Sequence, residues 1–143
     1  MVEENCWIYK NECLEVEPEE YFGFTYLITD LKNKKIYVGK KQFAHKTKKK
    51  LSKKAKQLPE NKGKRVLKGT KNSGWLSYYG SSKELNEQVK LLGENNFKRE
   101  ILEFAISKSD LTLKEIEAQV KFNVLRVNSY NLWIGGKVYR RHL

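Results

Sequence analysis

The chain contains few of the residue types that build metal centres and covalent cross-links. Its 143 residues include two cysteines, Cys6 and Cys13, and two histidines, His45 and His142. Zinc centres are held mostly by these two residue types, and so few of them argue against zinc. Since nothing in the sequence suggests secretion, we expect both cysteines to be reduced thiols in a cytosolic protein.

Long apolar runs are also missing. No stretch is long enough to cross a bilayer, and the first four residues, MVEE, lack the basic and apolar parts of a signal peptide. We therefore expect a cytoplasmic protein that does not bind membranes. The apolar fraction of 39% is sufficient for folding, and the length fits one domain with a single core.

Positive charge is concentrated in one segment. Fourteen of the 29 lysines and arginines lie between Lys40 and Lys71, where the single acid is Glu60. The first twenty residues carry the opposite charge, with seven glutamates and one lysine. A block this basic attracts a polyanion without reading its sequence, so nucleic acid is the favoured partner. The alternative is a solvated loop that keeps the protein soluble.

Two short segments of β type each carry a tyrosine. Phe24–Asp30 (FTYLITD) and Lys35–Lys40 (KIYVGK) are joined by a short polar turn, which is typical of a hairpin. The hairpin would place Tyr26 and Tyr37 beside the glycine and lysine that end its second arm. Such a site could hold a phosphate next to two phenols, although the pattern is also that of an ordinary hairpin.

Four further elements are predicted. A helix begins after Ser81 or Ser82 and ends at Gly93. Phe97–Phe104 is predicted to be a third strand. The last helix begins with the capping-box pair of Thr112 and Glu115. Within the basic segment a lysine-faced helix is predicted from the spacing of Leu51, Ala55 and Leu58.

The last helix carries an acid on its apolar side. Its predicted apolar stripe consists of Leu113, Ile116, Val120 and Val124. At about 100° per residue, Glu117 lies inside that stripe, whereas Glu115 lies on the opposite side. A carboxylate on an apolar face needs a partner, which could be a lysine, a backbone donor or a metal ion.

Taken in order, these elements resemble the GIY-YIG nuclease family. Phe24-Thr25-Tyr26 takes the place of the GIY triplet, Tyr37-Val38-Gly39 matches the YIG triplet, and Phe97 with Ile101-Leu102-Glu103 resembles the third strand. Glu117 falls at the metal-binding glutamate, and Tyr130-Asn131 resembles the pair that closes the site. This likeness spans residues 23–131, between an acidic lead-in, 1–22, and a tail, 132–143.

A narrower resemblance, to small phage-encoded homing-type (Seg-like) endonucleases, covers nearly the whole chain. It rests on Trp7-Ile8-Tyr9, on Gly39-Lys40-Lys41, on the stretch WLSYYGSS from Trp75 to Ser82, and on the C-terminal residues from Gly136 to Leu143. Members of that group carry a basic insertion after the second strand, which would here occupy about residues 40–74.

The resemblance implies an α+β fold, with a small, mostly antiparallel three-stranded sheet flanked by helices. It also implies a phage-encoded DNA endonuclease that depends on Mg²⁺ or Mn²⁺ and works in the cytoplasm of an infected bacterium. Because the lysine block would contact mainly the phosphate backbone, we expect low sequence specificity. The oligomeric state is left open between a monomeric nickase and a dimer formed on DNA.

The resemblance assigns roles to individual residues. Glu117 would hold the metal, and Tyr26 or Tyr37 would position or deprotonate the attacking water, with its pKa lowered by Lys40 or Lys41. The alternative for each tyrosine is packing with its hydroxyl in water. The remaining candidates for contact with the substrate are Gly39, Lys40, Lys46, Lys48, Arg65, Trp75 and Asn131. For Trp75 the alternative is core packing, and for Asn131 it is a turn.

The chain departs from the family at one position. The arginine that usually follows the YIG glycine and grips the phosphate is absent, and Lys41, His45, Lys46, Lys48 or Arg65 would have to replace it. A lysine supplies charge but cannot make the bidentate hydrogen bond to a phosphate that an arginine makes. Two alternatives therefore stay open: a weakened or inactive nucleic-acid-binding protein with this fold, and an interaction protein that binds an acidic partner.

Overall fold

The computed structural model describes residues 5–50, 66–135 and 140, and for 46–50 and 66–71 it describes the backbone alone. The strands are β1 (Trp7–Tyr9), β2 (Glu12–Leu14), β3 (Gly23–Asp30), β4 (Lys35–Gln42), β5 (Ala44–Lys50), β6 (Val66–Asn72) and β7 (Phe97–Ala105). The helices are α1 (Lys83–Leu92) and α2 (Lys108–Lys121), with 3₁₀ turns at Trp75–Ser77 and Glu94–Asn96. Neither described helix is long and apolar enough to cross a membrane.

The main sheet has five strands in the order β2-β1-β7-β3-β4. The predicted hairpin and third strand are confirmed as β3, β4 and β7, which pair antiparallel. The prediction of three strands is wrong, because the lead-in adds β2 and β1, and β1 pairs parallel with β7. Trp7 on β1 is fully buried, so the lead-in contributes to the core.

The basic segment contains a second sheet. Strands β5 and β6 pair antiparallel, and in this register Lys46 lies opposite Thr70 and Lys48 opposite Lys68. The helix predicted around Leu51–Leu58 lies outside the described residues, as does Arg65.

One face of the main sheet carries an aromatic core. Phe24, Tyr26 and Ile28 alternate along β3 and point to the same side, where they meet Trp7 and Trp75. The indole of Trp7 donates a 2.6 Å hydrogen bond to the carbonyl of Trp75. Trp75 is 1% exposed, so the expectation that it contacts substrate is wrong and its alternative, core packing, is confirmed.

Helix α1 covers this aromatic face. It begins after Ser82, whose hydroxyl accepts a hydrogen bond from the amide of Leu85, and it ends at Gly93. Both ends agree with the sequence prediction. Leu85 and Val89 pack into the aromatic core.

Helix α2 packs against the opposite face, and its start differs from the prediction. Its cap is Ser107, whose hydroxyl accepts from the amide of Asp110, not Thr112. The predicted apolar stripe is wrong for Val120, which is 63% exposed, and the buried residues of the helix are Leu111 and Gln119. Val124 is buried as predicted, but it lies beyond the end of the helix.

The two cysteines are paired in the structure. Cys6 and Cys13 form a disulfide that links the ends of the β1–β2 hairpin. The expectation of reduced thiols is therefore wrong for this structure. The adjacent guanidinium of Arg99 donates to the carbonyls of Asn5, Leu76 and Tyr78, which fixes the lead-in to the loop that precedes α1.

Candidate active site

The free edge of β4 is closed by the segment that follows α2. Asn131 accepts a 3.0 Å hydrogen bond from the amide of Val38 and donates a 2.8 Å bond to the carbonyl of the same residue. The side chain of Gln119 donates to that carbonyl as well, at 3.1 Å. Asn131 thus pairs with an edge strand as another strand would, and its predicted position beside the hairpin is observed.

A buried carboxylate fixes the same segment one residue earlier. Tyr130 donates a 2.7 Å hydrogen bond to Asp30, which also accepts from the side chains of Asn33 and Asn96. Burial alone would raise the pKa of Asp30, but the hydrogen bonds from Asn33, Tyr130 and Asn96 outweigh it and lower this pKa to about 2. Asp30 is therefore ionised at neutral pH and anchors Tyr130.

A cleft of about 610 Å³ lies at this edge of the sheet. Side chains from β4, from the start of α1, from α2 and from the closing segment line it together. They are Tyr37, Ser81, Ser82, Lys83, Glu84, Glu87, Glu115, Gln119, Tyr130, Asn131, Leu132, Trp133 and Gly135. The cleft thus brings two of the predicted site residues, Tyr37 and Asn131, to one place.

Tyr26 reaches towards this edge across Gly39, which lies opposite it in the β3–β4 register. Tyr26 is nevertheless 1% exposed. Burial raises its pKa well above the usual range, and the nearby phenols of Tyr78 and Tyr37 act in the same direction. The expectation that lysines lower the pKa is wrong for Tyr26, because burial raises it.

Hydroxyl groups lie between the core and the cleft. The phenol of Tyr78 is close enough to that of Tyr26 and to Ser81 for both to affect its pKa. Ser81 and Tyr37 share a 2.8 Å hydrogen bond. The half-buried Tyr37 lies on the wall of the cleft, so it is the phenol that a bound substrate can meet.

Glu115 is the carboxylate that faces the tyrosines. Its side chain is 17% exposed, and Oε1 lies 4.0 Å from the Nζ of Lys40, which also donates a 3.0 Å bond to Thr112. Burial raises the pKa of Glu115, and the charge of Lys40 partly opposes this shift. Its negative charge in turn contributes to the raised pKa values of Tyr26 and Tyr78.

Glu117 does not reach this site. Its side chain is exposed, and it lines a separate depression with Thr25, Glu103 and Lys114. The predicted inward orientation of Glu117 is therefore wrong. Helix α2 turns the face of Leu111, Glu115 and Gln119 towards the sheet, and Glu117 is about 200° from Glu115 around the helix.

The remaining candidates lie around the base of the β5–β6 hairpin or outside the described chain. The Nζ of Lys41 stacks 4.2 Å above the ring of Tyr78, and burial lowers the pKa of Lys41. His45 is exposed, with its Nδ1 2.6 Å from the Nε2 of Gln42. Neither lines the cleft. Of the predicted cations whose side chains the structure describes, Lys40 is the one that lies within 4.0 Å of Glu115.

The cleft has oxygen ligands that suit one hard cation. Magnesium takes one or two carboxylates and completes its shell with waters and phosphates, and Glu115 supplies one carboxylate. The side-chain oxygen of Gln119 is buried and has no hydrogen-bond partner in the described part of the chain. Within residues 5–50 and 66–135, no three His, Cys, Asp or Glu residues cluster into a larger metal site.

A model of the family described as "Putative endonuclease segE, GIY-YIG domain" matches residues 7–134. The chain belongs to this family. Neither the search of curated proteins nor that of solved structures found a match. The family's description supports a nuclease, and hence a hydrolase with DNA as its substrate. The matched region starts at Trp7, so it includes β1, β2 and the basic segment of this GIY-YIG chain.

Sequence reasoning missed three residues of the site: Ser81, Glu115 and Gln119. The sequence pattern indicates only a helix cap for Ser81, and for Glu115 a capping box on the side opposite the predicted apolar stripe. The signal that could have found Glu115 is its i, i+4 spacing from Leu111 and Gln119, which becomes visible once Ser107 is recognised as the cap.

Proposed function

We propose that this GIY-YIG chain is a metal-dependent endonuclease that hydrolyses phosphodiester bonds in DNA, with Glu115 as its metal-binding carboxylate. The observation that supports it most is the shared cleft of Glu115 and Tyr37, in a chain whose family is described as endonucleases. The Seg-like resemblance supports a phage origin and action in the cytoplasm of an infected bacterium.

Each cleft residue has a task in this mechanism. Lys40, 4.0 Å from Glu115, favours the charged form of this carboxylate at the cleft. Tyr37 accepts a hydrogen bond from the attacking water or donates one to it, and Ser81 fixes the direction of its hydroxyl. A bound Mg²⁺ or Mn²⁺ would supply charge compensation at the phosphate. Glu115 and the side-chain oxygen of Gln119 are the groups that would hold it.

Asn131 and Gly39 act through geometry. Asn131 holds the closing segment against Val38, which keeps one wall of the cleft in place. Gly39 leaves room for the hydroxyl of Tyr26. Neither residue needs to touch the substrate to be required for activity.

The basic segment supplies affinity. Fourteen cations between residues 40 and 71 contact phosphates of any sequence, which supports low specificity. Lys46, Lys48 and Arg65 remain candidates for these contacts. Lys40, beside the cleft, is our candidate for the phosphate contact that an arginine usually makes in this family.

The test compares two glutamates of one helix. Glu115→Gln should abolish nicking of supercoiled plasmid with Mg²⁺ while DNA binding is retained, and Glu117→Gln should cut like the parent chain. A clean Glu115→Gln preparation that still cuts, or loss of cutting in Glu117→Gln alone, would refute the assignment. Chelator should stop the parent chain.

A non-catalytic DNA-binding protein is the second candidate. It is favoured by one observation, the lack of an arginine among the described residues that line the cleft. In that case the parent chain would bind plasmid but would not cut it with Mg²⁺ or Mn²⁺.

A further inference from the structure

An indole and an aliphatic side chain stand exposed at the mouth of the cleft. Leu132 is 77% exposed and Trp133 is 72% exposed, and both line the cleft that holds Glu115 and Tyr37. The other two tryptophans, Trp7 and Trp75, are buried in the core. Indoles bury more apolar surface than almost any other side chain and are normally covered, so an exposed one beside the candidate site needs an explanation.

The segment that carries this indole is held in place by the residues just before it. Trp133 follows Asn131 by two residues, and Asn131 is held on both its amide oxygen and its amide nitrogen by Val38. Tyr130 is tied to the ionised Asp30. The indole therefore stays close to the β4 edge, where Glu115 and Tyr37 lie.

The charges around the cleft restrict what can occupy its mouth. Three glutamates line it, Glu84, Glu87 and Glu115, against one lysine, Lys83. From outside this lining, Lys35 forms a 3.1 Å ion pair with Glu84, and Lys40 lies 4.0 Å from Glu115. A lining with more acidic than basic side chains does not attract additional phosphates. It suits a neutral, flat group that is covalently attached to the single phosphodiester held at Glu115.

A nucleobase fits that description, because one sugar joins it to each phosphate of DNA. We propose that Trp133 stacks on an unpaired nucleobase next to the phosphodiester that is cut, and that the preferred substrate is DNA with an unstacked base at that point. This inference rests on the proposed nuclease function. In an intact duplex the neighbouring base pairs cover both faces of each base, so Trp133 has nothing to stack on. A mismatch, a gap or a single strand exposes one.

The first experiment uses binding alone, in the Glu115→Gln chain, so that no DNA is cut. Because Trp7 and Trp75 are buried, quenching of tryptophan fluorescence by acrylamide reports mainly on Trp133. A single-stranded oligonucleotide should protect this fluorescence from the quencher, and a blunt duplex of the same length should protect it much less. Inorganic polyphosphate, which offers charge without bases, should not protect it.

Equal protection by duplex and single strand, or protection by polyphosphate, would overturn the proposal. Adding Trp133→Phe removes the exposed indole, so the oligonucleotide should then cause no further change. A persisting change would place the effect at another tryptophan and would also overturn it.

The second experiment measures preference by cleavage. We compare the single-turnover rate on a mismatched duplex with that on its matched counterpart. The ratio of these two rates should fall about tenfold in Trp133→Ala. In Trp133→Phe the ratio should stay close to that of the parent chain. Leu91→Ala, which truncates a residue that is equally exposed but lies on α1 outside the cleft, should leave the ratio unchanged. An unchanged ratio in Trp133→Ala would refute stacking. If the parent chain cuts neither DNA, the nuclease proposal fails, and the fluorescence experiment still decides whether Trp133 binds bases.

Discussion

Gly39 lies directly opposite Tyr26 in the β3–β4 register, and the phenol of Tyr26 fills the space in which a side chain at position 39 would begin. A Cβ atom at Gly39 would lie 2.5 Å from the hydroxyl oxygen of Tyr26 and 2.8 Å from the ring carbon that bears it. The last glycine of the YIG triplet is thus explained by packing, because any larger residue would displace the first tyrosine of the site.

Gly39→Ala should therefore destabilise the fold. The added methyl group meets the ring of Tyr26, which is 1% exposed, and we expect a loss of about 1–3 kcal/mol in the free energy of unfolding. Urea denaturation followed by circular dichroism measures it. The matched control is Gly135→Ala, where the nearest atom to a new Cβ is 3.9 Å away. A loss of similar size in the control would show that the contact with Tyr26 is not responsible.

Removing the phenolic hydroxyls one at a time should distinguish the roles of Tyr37 and Tyr26. Tyr37→Phe removes the hydroxyl on the wall of the cleft, and we expect single-turnover cleavage to slow by about 10²-fold because the attacking water is then misplaced. Tyr26→Phe removes a buried hydroxyl of a residue that does not line the cleft, so its effect should be smaller. If Tyr26→Phe proved the more damaging change, the role given to Tyr37 would be wrong.

The sequence predicts those parts of the fold whose signals are local. The alternation in β3 and β4 and the caps of α1, Ser82 and Gly93, each lie within a few residues of the element they define. Strands of three residues, such as β1 and β2, are too short to show a period, so their place in the sheet could not be foreseen. They are ordered by long-range contacts such as the one between Trp7 and Trp75.

The site was harder to predict because it breaks the pattern that locates cores. The inward face of α2 contains Glu115 and Gln119, which are polar, whereas Val120 on the outer face is apolar and exposed. A search for an apolar stripe therefore selects the wrong side of the helix and the wrong glutamate. Composition likewise cannot tell the buried Trp75 from the exposed Trp133.

Protonation of Asp30 should contribute to the unfolding of the chain in acid. Its pKa is about 2 in the folded chain against an ordinary value near 3.8, so the stabilisation is complete above the ordinary value and is lost as the pH falls towards 2. By this linkage the carboxylate contributes about 2 kcal/mol at neutral pH. Asp30→Asn should remove that contribution and flatten the acid side of the stability curve between pH 4 and pH 2.

Urea midpoints measured across that pH range check this prediction for Asp30. Tyr130→Phe serves as the control, because it removes one of several hydrogen bonds to the carboxylate and should reproduce only part of the change. A stability curve for Asp30→Asn that stays parallel to that of the parent chain would show that other groups govern acid unfolding.

Glu115 should show the opposite linkage, since burial raises the pKa of its carboxyl group. A carboxyl whose pKa is higher in the folded than in the unfolded chain stabilises the fold below the unfolded value and costs stability once the pH rises past the folded value. The cost grows as the pH rises through the folded pKa, so on the alkaline side of it Glu115→Gln should be more stable than the parent chain, although we expect it not to cut DNA. Urea denaturation at pH 7 measures this, with Glu117→Gln, a change at an exposed residue, as the control that should not change stability.

A divalent cation should stabilise the parent chain and not Glu115→Gln, because a ligand that binds only the folded state raises stability. Equal stabilisation of both chains by the cation would place its binding site elsewhere and would separate the metal from Glu115.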